Sequence, residues 1–245
     1  MKTRILGVVT LKDDWAVQSF GFNKYLPLGK ADIVIENLSK WGADEILVNC
    51  IDRSKNSEGP NINILKNIYK RKINTPIIYS DGIRNLNDAK KVINEGADRI
   101  AINYSAFSND VDYFQNLSNF LGSQALILGC SFIKKKNNFL WYDYVNKKLK
   151  SISTIEDYFK KNIFSELLLI DSQNEGYNSF DYKVLESVDK KIPKILFGGI
   201  NVSKIISKLK KFNIKSLGFG NRLNYKEIEI KNIKMKHKNY FRTND

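Results

Sequence analysis

Cysteine and histidine are scarce in this sequence. The 245 residues include two cysteines, Cys50 and Cys130, and a single histidine, His237. Two cysteines do not make a disulfide framework, so we expect a protein of the reducing cytoplasm. We interpret Cys130 as a small buried hydrophobic residue rather than a nucleophile, and His237 as a surface residue. We expect no metal site and no cofactor.

Long apolar runs are missing as well. No run approaches the roughly 20 residues that a membrane-spanning helix needs, and the first residues lack the apolar core of a signal peptide. The sequence therefore predicts no membrane association. The hydrophobic fraction of 42% is nevertheless enough for a sizeable core.

Acidic residues are outnumbered by basic ones, 26 against 40, which gives a formal charge of +14. Basic surfaces bind phosphate backbones, so a nucleic-acid partner is one interpretation. The basic residues are scattered, however, and only residues 134–136 and 231–238 form clusters. We therefore favour a basic surface without a nucleic-acid partner, and keep a nucleic-acid-binding barrel as an alternative.

A strand–helix–strand unit occurs twice in the chain. Residues 75–103 contain two short apolar runs, joined by a glycine turn at Gly82 and a segment with helical spacing. Residues 192–221 have the same layout, and Gly199 stands 117 positions after Gly82. Short apolar runs with this spacing are typical of parallel strands joined by helices. The repeat predicts two related halves.

Taken in order, the chain shows eight apolar runs with a helical pattern after most of them. Eight such alternations in about 250 residues favour a closed (β/α)8 TIM barrel of the α/β class. We predict one barrel domain over residues 1–245, with half-barrels at about 1–121 and 122–225 and a basic, partly irregular tail at 226–245. A helix is expected within residues 26–40, and a charged hairpin at 134–150.

Four predicted strands begin with a charged residue: Arg4, Glu45, Arg99 and Glu166. At such positions a side chain can point into the bottom of a barrel, where an unpaired charge costs several kcal/mol. Two positive and two negative charges could pair in a ring there. Solvated charges at the strand starts are the alternative.

The sequence resembles the cyclase subunit family of imidazole glycerol phosphate synthase, and most of all its homologues in surface-sugar gene clusters. The stretches WGADEIL, GADRIAIN, GSQALIL and the GGI turn carry this resemblance. It implies an ammonia gate at Arg4, Glu45, Arg99 and Glu166. It also implies a glutaminase partner that docks against Asp98 and Gln124.

The same resemblance assigns two catalytic carboxylates to the positions of Thr10 and Ser131. Hydroxyl groups do not titrate near neutral pH, so neither residue can act as a general acid or base in their place. Asp13 and Asp171 are possible substitutes. Other polar candidates near this face are Asp52, Asp81 and Cys130.

The resemblance also implies two phosphate sites built from glycine turns and helix starts. The residues that match them are Gly82, Asn103, Gly198, Gly199, Gly220 and Asn221. Two acidic residues, Asp81 and Glu175, stand among these positions and would repel a phosphate. The predicted function is therefore an ammonia-channelling subunit that activates a glutaminase. It would supply a sugar amidotransferase that amidinates a bacterial surface sugar. A working cyclase and an aldose-ketose isomerase barrel remain alternatives.

Overall fold

The computed structural model describes residues 2–109 and 111–243. The strands are β1 (Arg4–Lys12), β2 (Trp15–Phe20), β3 (Lys24–Lys30), β4 (Glu45–Cys50), β5 (Ile77–Ser80), β6 (Arg99–Ile102), β7 (Leu126–Lys135), β8 (Asn138–Tyr142), β9 (Leu149–Ser151), β10 (Glu166–Asp171), β11 (Lys194–Phe197) and β12 (Ile214–Phe219). The α-helices are α1 (Ala31–Lys40), α2 (Ile62–Lys70), α3 (Leu86–Asn94), α4 (Tyr104–Ser108), α5 (Val111–Leu121), α6 (Glu156–Lys160), α7 (Val202–Ile205) and α8 (Glu229–Lys236).

Eight of these strands form a closed parallel barrel. Their order is β1, β4, β5, β6, β7, β10, β11 and β12, and β12 pairs with β1 to complete the ring. Helices or helical turns connect most successive barrel strands, so the (β/α)8 TIM barrel predicted from the sequence is confirmed. The strand starts lie at one mouth of such a barrel and the strand ends at the other.

The barrel interior follows from the two-residue period of the strands. Residues two apart point to the same face, so the residues two positions after the strand-start charges also face inward. Ten apolar side chains pack together there and form what we call the apolar layer. Its members are Leu6, Val8, Leu47, Ile78, Ala101, Ile127, Leu168, Ile170, Ile195 and Phe197.

Two hairpins extend the barrel beyond its strand ends. The first rim hairpin, residues 15–30, consists of β2 and β3 and continues from β1 through antiparallel pairing. The second rim hairpin, residues 138–151, consists of β8 and β9 and continues from β7 in the same way. Each half of the chain therefore begins with a strand that leads into a hairpin.

The sequence expectations differ from the structure at the first rim hairpin. The expected helix over 26–40 is shorter, since residues 24–30 belong to β3 and the helix begins at Ala31. The tail, expected to be partly irregular, contains helix α8. Its Ile230 and Ile233 are buried, and the Lys234 ammonium donates to Asp44 Oδ1 over 2.8 Å. The expected hairpin near 134–150 is present.

Candidate functional site

The four strand-start charges form a closed ring at the bottom of the barrel. Arg4 Nε lies 3.0 Å from Glu45 Oε2, and Arg4 Nη2 lies 2.6 Å from Glu166 Oε1. Arg99 Nη1 lies 2.6 Å from Glu166 Oε2 and 3.5 Å from Glu45 Oε1. Each arginine thus contacts both glutamates. We call this set the ionic ring.

The ionic ring is largely shielded from solvent. The exposed fractions of its four side chains lie between 8% and 13%. Burial raises the pKa of Glu45, and the neighbouring Arg4 and Arg99 oppose that rise. Arg99 is also fixed by hydrogen bonds from Nε to the Gln124 carbonyl and from Nη2 to Ser165 Oγ. The structure therefore excludes the alternative of four solvated charges.

A recess of about 650 Å³ opens below the ionic ring. Asp98 and Gln124, the two residues expected at a docking face, line it together with Leu121, Pro193 and Lys215. Asp98 has a structural contact too, because its Oδ2 accepts the Ile77 backbone N–H over 2.8 Å. Within the described part of the chain, the Gln124 side chain makes no hydrogen bond, so it is available to a partner.

A second cavity, of about 630 Å³, lies at the strand ends. We call it the upper cavity. Aromatic rings, amides and hydroxyls line most of it, with Lys55 and Lys147 also present; among the polar residues are Asn23, Asn49, Ser80, Asn103, Ser131, Ser172 and Gln173. The apolar layer separates it from the ionic ring, and the two recesses share no lining residue.

The catalytic positions implied by the family hold hydroxyl groups without a base beside them. Ser131 lines the upper cavity, and its Oγ accepts a hydrogen bond of 2.7 Å from Asn103 Nδ2. Thr10 is buried at the end of β1, in register with Asn49 of β4. Neither side chain can supply a carboxylate to a substrate in this cavity.

The two substitute carboxylates, Asp13 and Asp171, do not line the upper cavity. Asp13 is exposed and pairs with Lys12 over 2.7 Å. Asp171 is buried, which raises its pKa, and it accepts the backbone N–H of Asn174 and of Asp181. Both carboxylates are thus turned to other partners, and Asp171 stabilises the loop that follows β10.

Asp81 is the one acidic side chain that lines the upper cavity within the described residues. Its carboxylate accepts the Ser54 backbone N–H over 3.2 Å, the Ser54 hydroxyl, and the Tyr144 hydroxyl over 2.6 Å. Burial raises the pKa of Asp81, and these donors oppose the rise. The Asp81 carboxyl group therefore occupies its turn and leaves little room for a phosphate at Gly82.

The second glycine turn packs closely against the loop after β10. A Cβ placed on Gly199 would lie 2.0 Å from the Tyr177 carbonyl oxygen, and one on Gly198 would lie 2.6 Å from the Asp171 carbonyl oxygen. Asn221 also has an internal role, because its Nδ2 donates to the Ser19 carbonyl over 2.7 Å. Gly199, Gly220 and Asn221 nevertheless border a separate cavity of about 520 Å³, which Glu175, Arg222 and Lys226 also line.

Several features of this face were missed by sequence reasoning. Tyr144 reaches Asp81 from the second rim hairpin, whose role the sequence did not show. Ser19 and Phe22 of the first rim hairpin donate to Glu175, which is 2% exposed. Regular spacing reveals strands and helices, whereas contacts between distant loops leave no local pattern.

The remaining candidates lie outside the upper cavity. Cys130 is fully buried, and burial raises the pKa of its thiol well above the ordinary value, so it has the inert character expected of it. His237 follows α8, and partial burial lowers its pKa. No helix within residues 2–109 and 111–243 combines the length and apolar character that crossing a membrane requires.

Comparison with known proteins places these features in a family. The family described as "Histidine biosynthesis protein" matches residues 4–229. A Vibrio vulnificus (strain YJ016) protein named "Putative imidazole glycerol phosphate synthase subunit hisF2" is 31% identical over 208 residues, 82% of this chain and 75% of the relative. A Campylobacter jejuni protein of the same name is 30% identical over 204 residues, covering 82% and 81%.

A third relative covers almost the full length of both chains. It is the "Imidazole glycerol phosphate synthase subunit HisF" of Buchnera aphidicola subsp. Acyrthosiphon pisum, 27% identical over 248 residues, which are 95% of this chain and 94% of the relative. The match over residues 4–229 includes every member of the ionic ring. This chain belongs to the histidine biosynthesis protein family.

Proposed function

We propose that this protein is the barrel subunit of a glutamine amidotransferase, which activates a glutaminase and conducts the ammonia that the glutaminase releases. The observation that carries the proposal is the ionic ring, in which two arginines and two glutamates are mutually paired at the bottom mouth. A barrel that needs only a packed core has no use for four buried charges, because burying them carries a desolvation penalty.

The apolar layer above the ring favours a small neutral molecule over an ion. The apolar layer disfavours ions, since an unpaired charge is costly in such surroundings. Ammonia in its neutral form does not bear that penalty. Ala101 has the smallest side chain in the layer and follows Arg99 by two positions on the inner face of β6. Opening one ion pair of the ring would admit ammonia without removing a charge from the site.

The strand-end face supports delivery of ammonia rather than cyclisation by this chain. Thr10 and Ser131 stand at the two positions where the family resemblance implies catalytic carboxylates, and Asp81 fills one of the glycine turns. On this proposal a downstream enzyme, a sugar amidotransferase, holds the nitrogen acceptor. The substrate class, a bacterial surface sugar that becomes amidinated, is supported by the family resemblance and by no residue of the chain.

A docking experiment tests the proposal at the recess below the ring. We expect Gln124→Ala to weaken binding of a glutaminase subunit from the same genome about tenfold, as loss of one well-packed interface side chain does. Asp98→Asn should weaken it as well, while its amide oxygen still accepts the Ile77 N–H. Affinities are measured by isothermal titration of the purified chains.

A matched control for the docking variants lies at the opposite mouth. Lys135→Ala removes an exposed charge at the end of β7 and should leave glutaminase binding unchanged. Equal binding by wild type, Gln124→Ala and Asp98→Asn would show that the recess is not the docking face. Circular dichroism of each variant confirms that the barrel is intact.

A further inference from the structure

Two buried carboxylates at the strand-end mouth, Asp81 and Glu175, have no role in the conduction of ammonia. Asp81 is 8% exposed and Glu175 is 2% exposed. Each hydrogen-bonds to a hairpin that belongs to the other half of the chain. Asp81 follows β5 in the first half and contacts the second rim hairpin, whereas Glu175 follows β10 in the second half and contacts the first rim hairpin.

Asp81 lies in a turn of the kind that binds anions, and its own carboxyl group takes the place of a bound anion. Asp81 has a φ of +84° and is followed by Gly82 at +70°, so the backbone turns sharply beneath the carboxylate. Ser54 supplies both its backbone N–H and its hydroxyl, and Tyr144 supplies a second hydroxyl. Backbone N–H groups of such turns bind phosphate and carboxylate groups. Here the Gly82 N–H donates to Ser54 Oγ, and the Asp81 carboxylate accepts the hydrogen bonds of Ser54 and Tyr144.

Glu175 fixes the first rim hairpin by comparable contacts. Its Oε2 accepts the Ser19 hydroxyl over 2.8 Å and the Phe22 N–H over 3.2 Å, and its backbone carbonyl accepts the Gly21 N–H over 2.8 Å. Asn221 adds two hydrogen bonds to the backbone of Ser19. The tip of the hairpin is thereby held against the loop that follows β10.

The internal repeat relates the two arrangements. Ser54 and Glu175 are 121 positions apart, the spacing that also separates Glu45 from Glu166. Asp81 and Gly198 are 117 apart, the spacing of Gly82 and Gly199. The repeat thus pairs Asp81 with Gly198 and Glu175 with Ser54, so the two carboxylates do not occupy equivalent positions. Each half nevertheless places one buried carboxylate in this pair of loops, the first half at Asp81 and the second half at Glu175.

We propose that Asp81 and Glu175 are internal anions that use the donors around the upper cavity in place of an anionic ligand and hold the two rim hairpins across its mouth. The cavity thereby rejects phosphorylated ligands at the turn of Asp81 and accepts an unphosphorylated, hydroxylated one. This inference does not depend on the proposed function, because it concerns what the upper cavity admits and is tested without a glutaminase.

The lining of the upper cavity agrees with such a ligand. Asn49 and Ser80 are at most 7% exposed and face the cavity, and within the described residues their side chains have no hydrogen-bond partner. Tyr142 and Tyr177 supply aromatic surface at the rim. Amides, hydroxyls and aromatic rings bind polyhydroxylated molecules by hydrogen bonding and by contact with the ring faces.

Phosphate binding provides the test, with inorganic phosphate as the probe and isothermal titration as the measurement. We expect Asp81→Gly to bind phosphate at least about tenfold more tightly than wild type, because the repelling carboxylate is gone and the Ser54 donors are released. Glycine suits the positive φ at this position, and Gly198 already occupies the equivalent turn of the other half. Asp81→Gly that folds and binds phosphate no better than wild type would overturn the proposal.

A further variant tests whether the charge of Asp81 is what weakens phosphate binding. Asp81→Asn removes the charge at nearly constant size, so it should improve phosphate binding less than Asp81→Gly. If Asp81→Gly does not fold, unchanged phosphate binding by Asp81→Asn overturns the proposal.

Two variants test the hold on the rim hairpins. Tyr144→Phe should speed amide hydrogen exchange in residues 138–151 without a gain in phosphate binding. Glu175→Ala should speed amide hydrogen exchange in residues 15–30, also without a gain in phosphate binding. If amide exchange is unaltered in both variants, Asp81 and Glu175 do not hold the rim hairpins in place.

Discussion

Glu166→Ala is expected to lower the free energy of unfolding by about 3–5 kcal/mol, because it leaves buried cations without their counter-ion. Glu166 accepts the two shortest contacts of the ionic ring, 2.6 Å from Arg4 and 2.6 Å from Arg99. After its removal both guanidinium groups would share Glu45 as their one remaining counter-ion within the ring, at 3.0 and 3.5 Å. Urea unfolding followed by tryptophan fluorescence measures the loss.

An exposed ion pair provides the control for this variant. Asp157 and Lys160 are 60% and 70% exposed and lie 2.8 Å apart. Asp157→Ala should cost about 1 kcal/mol or less, as is typical of surface pairs. If the two variants lose similar amounts of unfolding free energy, the buried charges of the ring stabilise one another no more than an exposed ion pair does.

Gly199→Ala is expected to destabilise the protein by about 3 kcal/mol, since it combines an unfavourable backbone conformation with a steric clash. Gly199 has a φ of +87°, and an added Cβ would lie 2.0 Å from the Tyr177 carbonyl and 2.5 Å from that of Asn174. The loop after β10 would have to move away from the glycine turn. Thermal and urea unfolding of the variant give the change.

Gly122 offers a matched comparison. It has a similar φ of +79°, but an added Cβ would meet nothing within 4 Å. Gly122→Ala should therefore cost only about 1 kcal/mol, the backbone contribution alone. If both substitutions cost the same, the close packing of the Gly199 turn contributes nothing to the free energy of unfolding.

The ionic ring could be predicted because its determinants are local. Each of its residues stands directly before an apolar run, and strand alternation then sends the side chain inward. The resemblance to a family added the expected role of these charges as an ammonia gate. The structure supplies what neither could give, namely that Arg99 also bonds to Ser165 and to the Gln124 backbone.

The first rim hairpin was missed for a physical reason. Residues 26–40 contain the helix-spaced Ile33, Ile35 and Leu38, and this pattern was extended too far toward the N-terminus. β3 forms because it pairs along its length with β2, and β2 exists because β1 continues beyond the barrel. Strand formation that depends on pairing with another segment is weakly encoded in local sequence.

Helix α8, near the other end of the chain, is likewise weakly encoded in its local sequence. Its sequence has a weak apolar pattern, yet Ile230 and Ile233 are buried, and Lys234 bonds to Asp44 and to the Gly42 carbonyl. These partners lie about 190 residues away in sequence. Tertiary contacts of this kind override a weak local propensity.

The rate of glutamine hydrolysis tests the central claim most directly. A glutaminase subunit from the same genome is assayed for glutamate release, alone and with an equimolar amount of this chain. The proposed function predicts that the chain raises the rate at least about tenfold, equivalent to about 1.4 kcal/mol of transition-state stabilisation. A complex that forms without any increase in rate, or the absence of a complex, would contradict it.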